Sequence, residues 1–254
     1  MPLNTTTNKA ESMENQFSRT EMLLGADGLA RLQNCRVAVF GLGGVGGYAA
    51  EALARSGIGA IDLIDHDCVS LSNLNRQILA LNSTVGEDKT DLAEKRIRDI
   101  APQCTVRKYK TFFLPETADS FDFSVWDCVV DAIDTVSGKI EIARKAAEAG
   151  IPLISVMGPG NTLDPTKLHV TDLEETHECP LARVMRRECR KRGITGVTAV
   201  WSDEAPMPHG SAETDRPQEG PGRKDTPGSM IFVPAAAGLA AASAAVRKLL
   251  NKTL

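Results

Sequence analysis

Apolar positions along the chain follow two periods that take turns. Arg36–Phe40 (RVAVF) is a β-branched run stopping at a glycine loop, and the Ala-rich stretch YAAEALARSG beyond it has helical spacing. A second apolar run, AIDLID, ends on Asp65. Strand, tight turn, helix and strand in about thirty residues make a βαβ unit, so the sheet is expected to be parallel here. Next, EDKTDLAEKRIRDIAP predicts an amphipathic helix stopped by Pro102, and TVRKYK a strand. WDCVVDAID predicts a buried strand, VSGKIEIARKAAEAG a helix closed by Gly150, and PLISVMG a further strand.

This alternation from Arg36 to Gly158 predicts an α/β fold, a Rossmann-like, doubly wound, mostly parallel sheet with ligands at the carboxyl ends of its strands. Past Gly160 the pattern loosens into a short strand (LHVTDL), a basic helix around CPLARVMRRECRKRG and a strand, GVTAVWS. The final MIFVPAAAGLAAASAAVRKLL predicts a strand and a closing helix as a C-terminal extension. Asp203 to Gly228 is crowded with Pro, Gly and charge and too poor in apolar residues to offset its ordering entropy, so a flexible surface loop is expected. Residues 1–16 are expected to form a disordered tail and 17–254 a single domain.

Composition narrows this little. A hydrophobic fraction of 42% and a charged fraction of 24% are ordinary for a globular protein. The N-terminal stretch lacks the apolar core of a signal or anchor, and the run from Met230 to Val246 is interrupted by Pro234 and Gly238 and falls short of a membrane span. A cytoplasmic location with free thiols is therefore the expectation. Cys35, Cys68, Cys104 and Cys128 lie in or beside expected strands, where core packing accounts for them. A net charge of -4 leaves only local basic patches to argue for nucleic acid.

The candidate chemistry gathers at the strand ends. Gly41, Gly43, Gly44 and Gly46 satisfy G-x-G-x-x-G between a strand and a helix, where backbone N–H groups approach phosphates. Asp65 closes the next strand, where a carboxylate accepts hydrogen bonds from ribose hydroxyls. A dehydrogenase would show both. The stretch SLSNLNRQ with Arg76, then Lys89 at a helix start and Asp134 after DAI, suits another reaction. Attack of a carboxylate on the α-phosphorus of ATP builds negative charge on phosphoryl oxygens and on departing pyrophosphate, so paired cations and a carboxylate-held Mg²⁺ are the expected stabilisers. Asp67 reads equally as a turn residue or a ligand contact.

In GLGGVG, LIDHDCVSLSNLNRQ, Lys89 and DAID the chain resembles the ubiquitin-activating-enzyme-like adenylyltransferases, over about Phe17 to Leu168. The resemblance implies that Asp65 holds the ribose, that Asn73, Arg76, Gln77 and Lys89 contact the triphosphate, and that Asp134 ligates Mg²⁺. It also implies that Arg19, in Phe17-Ser18-Arg19 before a short helix, reaches the partner's ATP site in a homodimer. Relatives that activate ubiquitin-like sulfur carriers usually hold zinc with two C-x-x-C pairs; this chain has none, so no zinc site is expected.

LDPT, VTDL and CPLARVMRR resemble instead the branch acting on transfer RNA, the threonylcarbamoyladenosine dehydratases. That likeness implies adenylation of the threonyl carboxylate of the modified adenosine and internal closure of a ring with net loss of water. Activation of a sulfur carrier's C-terminal glycine is the alternative. Arg183, Arg186, Arg187 and Arg190 follow i, i+3, i+4, i+7 spacing and form a candidate RNA-phosphate stripe. Whether a cysteine desulfurase or sulfur acceptor assists stays open, as does the role of Cys179.

Overall fold

In a computed structural model of the chain, which describes residues 15–208 and 227–251, seven strands form one sheet. They are β1 (Arg36–Phe40), β2 (Ala60–Ile64), β3 (Thr105–Tyr109), β4 (Cys128–Asp131), β5 (Leu153–Val156), β6 (Leu168–Asp172) and β7 (Thr198–Ser202). Their order is β3-β2-β1-β4-β5-β7-β6, and every neighbouring pair is parallel except β6 with β7. This is the doubly wound, mostly parallel sheet that the alternating pattern implies. The chain runs outward from β1 through β2 to β3, then crosses back to β4 on the other side of β1. That reversal leaves a crevice between the carboxyl ends of β1 and β4.

Alternation along the strands sends successive side chains to opposite faces, and each face has its own core. Val37, Val39, Cys128, Val130, Ile154 and Val200 join one, beneath α3 (Gly46–Arg55), α4 (Lys89–Ile100) and α7 (Phe232–Leu249). Ala38, Phe40, Val129, Leu153, Ala199 and Trp201 join the other, beneath α5 (Val136–Ala149) and α6 (Pro180–Lys191). The second core is aromatic at one end. Phe40 meets Phe113 edge-on at 4.9 Å and Trp126 at 5.6 Å, an arrangement that suits the ring quadrupoles.

The segment after Phe17 forms two short helices, α1 (Ser18–Leu24) and α2 (Ala26–Gln33), broken at Gly25. Gly25 has φ of +78°, outside the helical region and accessible to glycine without a Cβ penalty. Arg19 therefore lies within α1, not ahead of it. α5 ends as expected, on Gly150 at φ +68°.

One expected element is absent. Met230–Val233 is no strand: helix α7 begins at Phe232. Pro234 sits in the first turn of that helix, where its missing N–H costs nothing because first-turn N–H groups have no helical acceptor. Most of the tail and most of the 203–228 loop lie outside the described residues. α7 is long and apolar enough to cross a membrane by length and composition, yet half of it is buried within the protein.

Gly238 lets α7 settle on α3. A Cβ there would lie 2.3 Å from the Val45 carbonyl oxygen and 2.9 Å from Tyr48 Cβ, with backbone unable to yield. Gly238→Ala should therefore destabilise the protein by about 1–3 kcal/mol, despite alanine's better helix propensity, and lower the melting temperature in a thermal scan.

Candidate active site

A cleft of about 820 Å³ opens at the carboxyl ends of β1, β2, β4 and β5. Gly41, Gly43 and Gly44 line it from one side and Ala132–Thr135 from the other. The glycines answer a crowding problem. Gly41 has φ of +84°, and a Cβ on it would touch the Ala132 carbonyl oxygen at 2.9 Å. A Cβ on Gly46 would lie 1.7 Å from the Gly41 carbonyl oxygen, so this position admits glycine alone. Gly46 thus shapes the turn without lining the cleft.

Asp65, one residue past β2, accepts the Leu42 N–H at 2.5 Å and the Asp67 N–H at 2.8 Å. Its carboxylate pins the glycine loop to β2 and faces the cleft. Asn73 is buried, with Oδ1 accepting the Ser70 N–H at 3.2 Å, which closes the short turn carrying Arg76. The Arg76 stem passes over Gly44, its Cγ 3.4 Å from where a Cβ would stand, while Nη1 donates to the Ser72 carbonyl and Asn75 Oδ1. Gln77 is 7% exposed, and its Oε1 is buried with no hydrogen-bond partner among the described residues. Buried polar atoms are seldom left so, and this one faces a cleft.

Lys89, expected on the helix it opens, is only 4% exposed and pairs with Asp67 Oδ2 at 2.7 Å. The two readings of Asp67 therefore merge: it holds Lys89 and also lines the cleft. Asp134 is exposed, and among the described residues it accepts a hydrogen bond only from the Thr135 hydroxyl, at 3.5 Å. A free carboxylate beside oxygen donors such as Gln77 suits a hard divalent cation, which takes oxygen ligands. Asp65, His66 and Asp67 also bring ligand-capable atoms within 4.8 Å of one another, but Asp65 and Asp67 are engaged as described.

The structure thus brings together Gly41, Gly43, Gly44, Asp65, Asp67, Asn73, Arg76, Gln77, Lys89 and Asp134. Arg19 is exposed and does not line this chain's own cleft. The far wall is built from Val156–Thr162, Glu178–Leu181 and residues near Ser202 and Ser229. There Cys179, half-buried, donates to the Met157 carbonyl at 3.4 Å.

The arginine stripe is less open than its spacing suggests. Arg186 is half-buried and donates to the carbonyl and hydroxyl of Thr176. Arg190 pairs with Glu174, and Arg187 with Glu188 at 3.1 Å. Arg192, Lys191 and Arg187 together hold the Glu188 carboxyl at about 2, led by Arg192. Arg183 is exposed and has no side-chain partner among the described residues.

Sequence reasoning missed Lys139, which is wholly buried beneath the loop bearing Asp134. It also placed Cys68 in the core, whereas this thiol is exposed at the cleft and donates to Asp88 Oδ1 at 3.3 Å. Cys68 lies four residues past β2, beyond the sheet that covers the other strand-associated cysteines. Burial pushes Cys104 up to about 11 and Cys128 to about 12, which makes them poor nucleophiles.

Residues 17–254 match the model of the ThiF family. The tRNA threonylcarbamoyladenosine dehydratase of Bacillus subtilis is 46% identical, covering 89% of this chain and 91% of that protein. The Escherichia coli enzyme of the same name is 36% identical over 96% of each. The crystal structure of the E. coli enzyme in complex with ATP superimposes with a TM-score of 0.82, covering 93% of this chain and 94% of that one.

Thiol labelling of the native protein should modify Cys68 and Cys179 first and leave Cys35, Cys104, Cys128 and Cys189 protected until unfolding. Saturating ATP should slow labelling at the two cleft thiols. Mass spectrometry of the labelled peptides reads both effects, and an ATP-insensitive Cys68 would place the nucleotide elsewhere.

Proposed function

This chain belongs to the ThiF family, and from that premise we propose that it is an ATP-dependent tRNA threonylcarbamoyladenosine dehydratase. The observation carrying this reading is one cleft that joins a glycine loop, two cations and a free carboxylate to a second wall from β5 and the start of α6. ATP occupies the glycine-loop side, with Asp65 toward the ribose, and the modified adenosine the other.

The reaction has two steps. A carboxylate oxygen of the threonyl group attacks the α-phosphorus, the bond to the β-phosphate oxygen breaks, and pyrophosphate departs. Lys89 and Arg76 stabilise charge that builds on the phosphoryl oxygens, and Asn73 and Gln77 orient the triphosphate. Asp134 would hold Mg²⁺, which when bound supplies charge neutralisation at the leaving phosphates. A nucleophilic atom within the substrate then attacks the acyl-adenylate carbonyl and gives up its proton, and AMP leaves carrying one of the two carboxylate oxygens. The net result is a closed ring and the loss of one water, so no protein thiol is required for turnover.

The sulfur-carrier alternative predicts instead that pyrophosphate release needs a protein ending in Gly-Gly. Incubating the enzyme with ATP and either modified tRNA or such a carrier separates the two. Release with tRNA, with cyclic product by mass spectrometry, is expected; release with the carrier alone would overturn the proposal. Arg76→Ala should lower the rate by about 10²-fold or more, as for loss of a donor to developing charge.

Arg19 acts in the partner's site of a homodimer. Its absence from the lining of its own cleft supports this, as do the exposed Met22 (85%) and Leu23 (80%) on the same helix. Such exposure of large apolar side chains side by side favours a contact. Arg19→Ala and Lys89→Ala enzymes should each be inactive, and mixing them should restore activity through sites with one intact residue from each protomer. No recovery after subunit exchange would refute action in trans.

RNA phosphates meet α6 chiefly at Arg183 and Arg187. Charge reversal at both should weaken tRNA binding and flatten its salt dependence while ATP binding persists. The proposed setting is the cytoplasm, with no cysteine desulfurase or sulfur acceptor needed for the ring closure.

A further inference from the structure

Lys139 and Asp131 form an ion pair with no exposed surface on either side chain, Nζ to Oδ2 at 2.9 Å. The Lys139 ammonium also donates to the Val156 carbonyl at 2.8 Å and the Ile133 carbonyl at 3.2 Å. An ammonium has three donors, and all three are used. Asp131 is equally occupied: Oδ2 accepts the Ser155 hydroxyl at 2.6 Å and Oδ1 the Ile133 N–H at 3.2 Å. Asp131 and Ser155 stand opposite each other on β4 and β5, and Lys139 covers them from α5.

A buried pair of this kind adds little stability over well-packed apolar side chains of the same volume, because desolvation offsets the attraction. Its effect here is geometric. Both backbone polar groups of Ile133 are drawn inward, the N–H to Asp131 and the carbonyl to Lys139. Neither peptide unit flanking Ile133 can turn over, and the next residue, Asp134, is left exposed in the cleft. The same ammonium fixes Val156, at the end of β5 on the opposite wall. Lys139 also neutralises Asp131, so the floor below Asp134 adds no second negative charge.

We infer that Lys139 is a positioning residue for Asp134: through Asp131 and the Ile133 peptide it sets where the carboxylate presents itself to the metal of bound MgATP. This rests on the proposed metal role of Asp134. It is a role in geometry, not in net charge, so removing both charges together should not rescue it.

The test is calorimetric binding of ATP, with Mg²⁺ titrated in or with EDTA, to wild type, Asp134→Ala and the double variant Asp131→Asn with Lys139→Met. The double variant leaves no unpaired buried charge. Circular dichroism and melting temperature establish that it folds. We expect metal-free ATP affinity to be unchanged and the half-saturating Mg²⁺ concentration to rise by about 10-fold or more, the usual consequence of losing a partner behind a metal ligand.

A folded double variant with the wild-type Mg²⁺ response, beside a blunted response in Asp134→Ala, overturns this inference alone. A wild-type response in Asp134→Ala overturns the metal role of Asp134 and this inference with it. If the double variant does not fold, Ser155→Ala decides. It removes one bond to Asp131 and keeps both charges, and an unshifted Mg²⁺ response there refutes the inference.

Discussion

At the end of β1 the backbone comes closer to other backbone than any side chain allows. Gly41 faces the Ala132 carbonyl and Gly46 the Gly41 carbonyl, at separations where a Cβ would collide with atoms that cannot swing away. Gly238 of α7 presses on Val45 in the same way. These approaches bring the loop after β1, the loop after β4 and the start of α3 into one place, and the cleft is the space left between them. Asp65 then joins the β1 loop to the end of β2 through the Leu42 N–H. A phosphate site needs N–H groups free of side chains around them, and the packing that closes the fold supplies that condition.

Much of this was legible because it is local. The glycine spacing, the β-branched runs and the Gly150 helix stop each act within a few residues, and the sheet they imply was found as expected. The features that escaped have a non-local cause. Lys139 in VSGKIEIARK looks like one more cation on a solvated helix; only the pairing of β4 with β5 puts Asp131 and Ser155 beneath it. Ile231-Phe232-Val233 reads as a strand by composition, yet the chain there turns into α7, and Ile231 and Phe232 remain exposed. The arginine stripe kept its helical spacing, but Glu174 and Thr176, which occupy two of the four, come from the segment preceding the helix.

The two buried lysines among the described residues differ in how their charge is met. Lys139 has every donor matched inside the protein, so nothing remains to attract a ligand. Lys89 is almost as deeply buried, but among the described residues it makes a single bond, to the half-exposed Asp67. Two of its donors are unspent at the wall of a cleft where Gln77 Oε1 is also unsatisfied. Burying a cation with so few partners is costly unless something else completes its shell. The anion that the proposed function places in the cleft would do so, since a triphosphate beside the glycine loop would match both the charge and the position. The stability forgone at Lys89 and the binding expected there are therefore one quantity, whereas at Lys139 the charge is closed off and acts only on the shape of the floor.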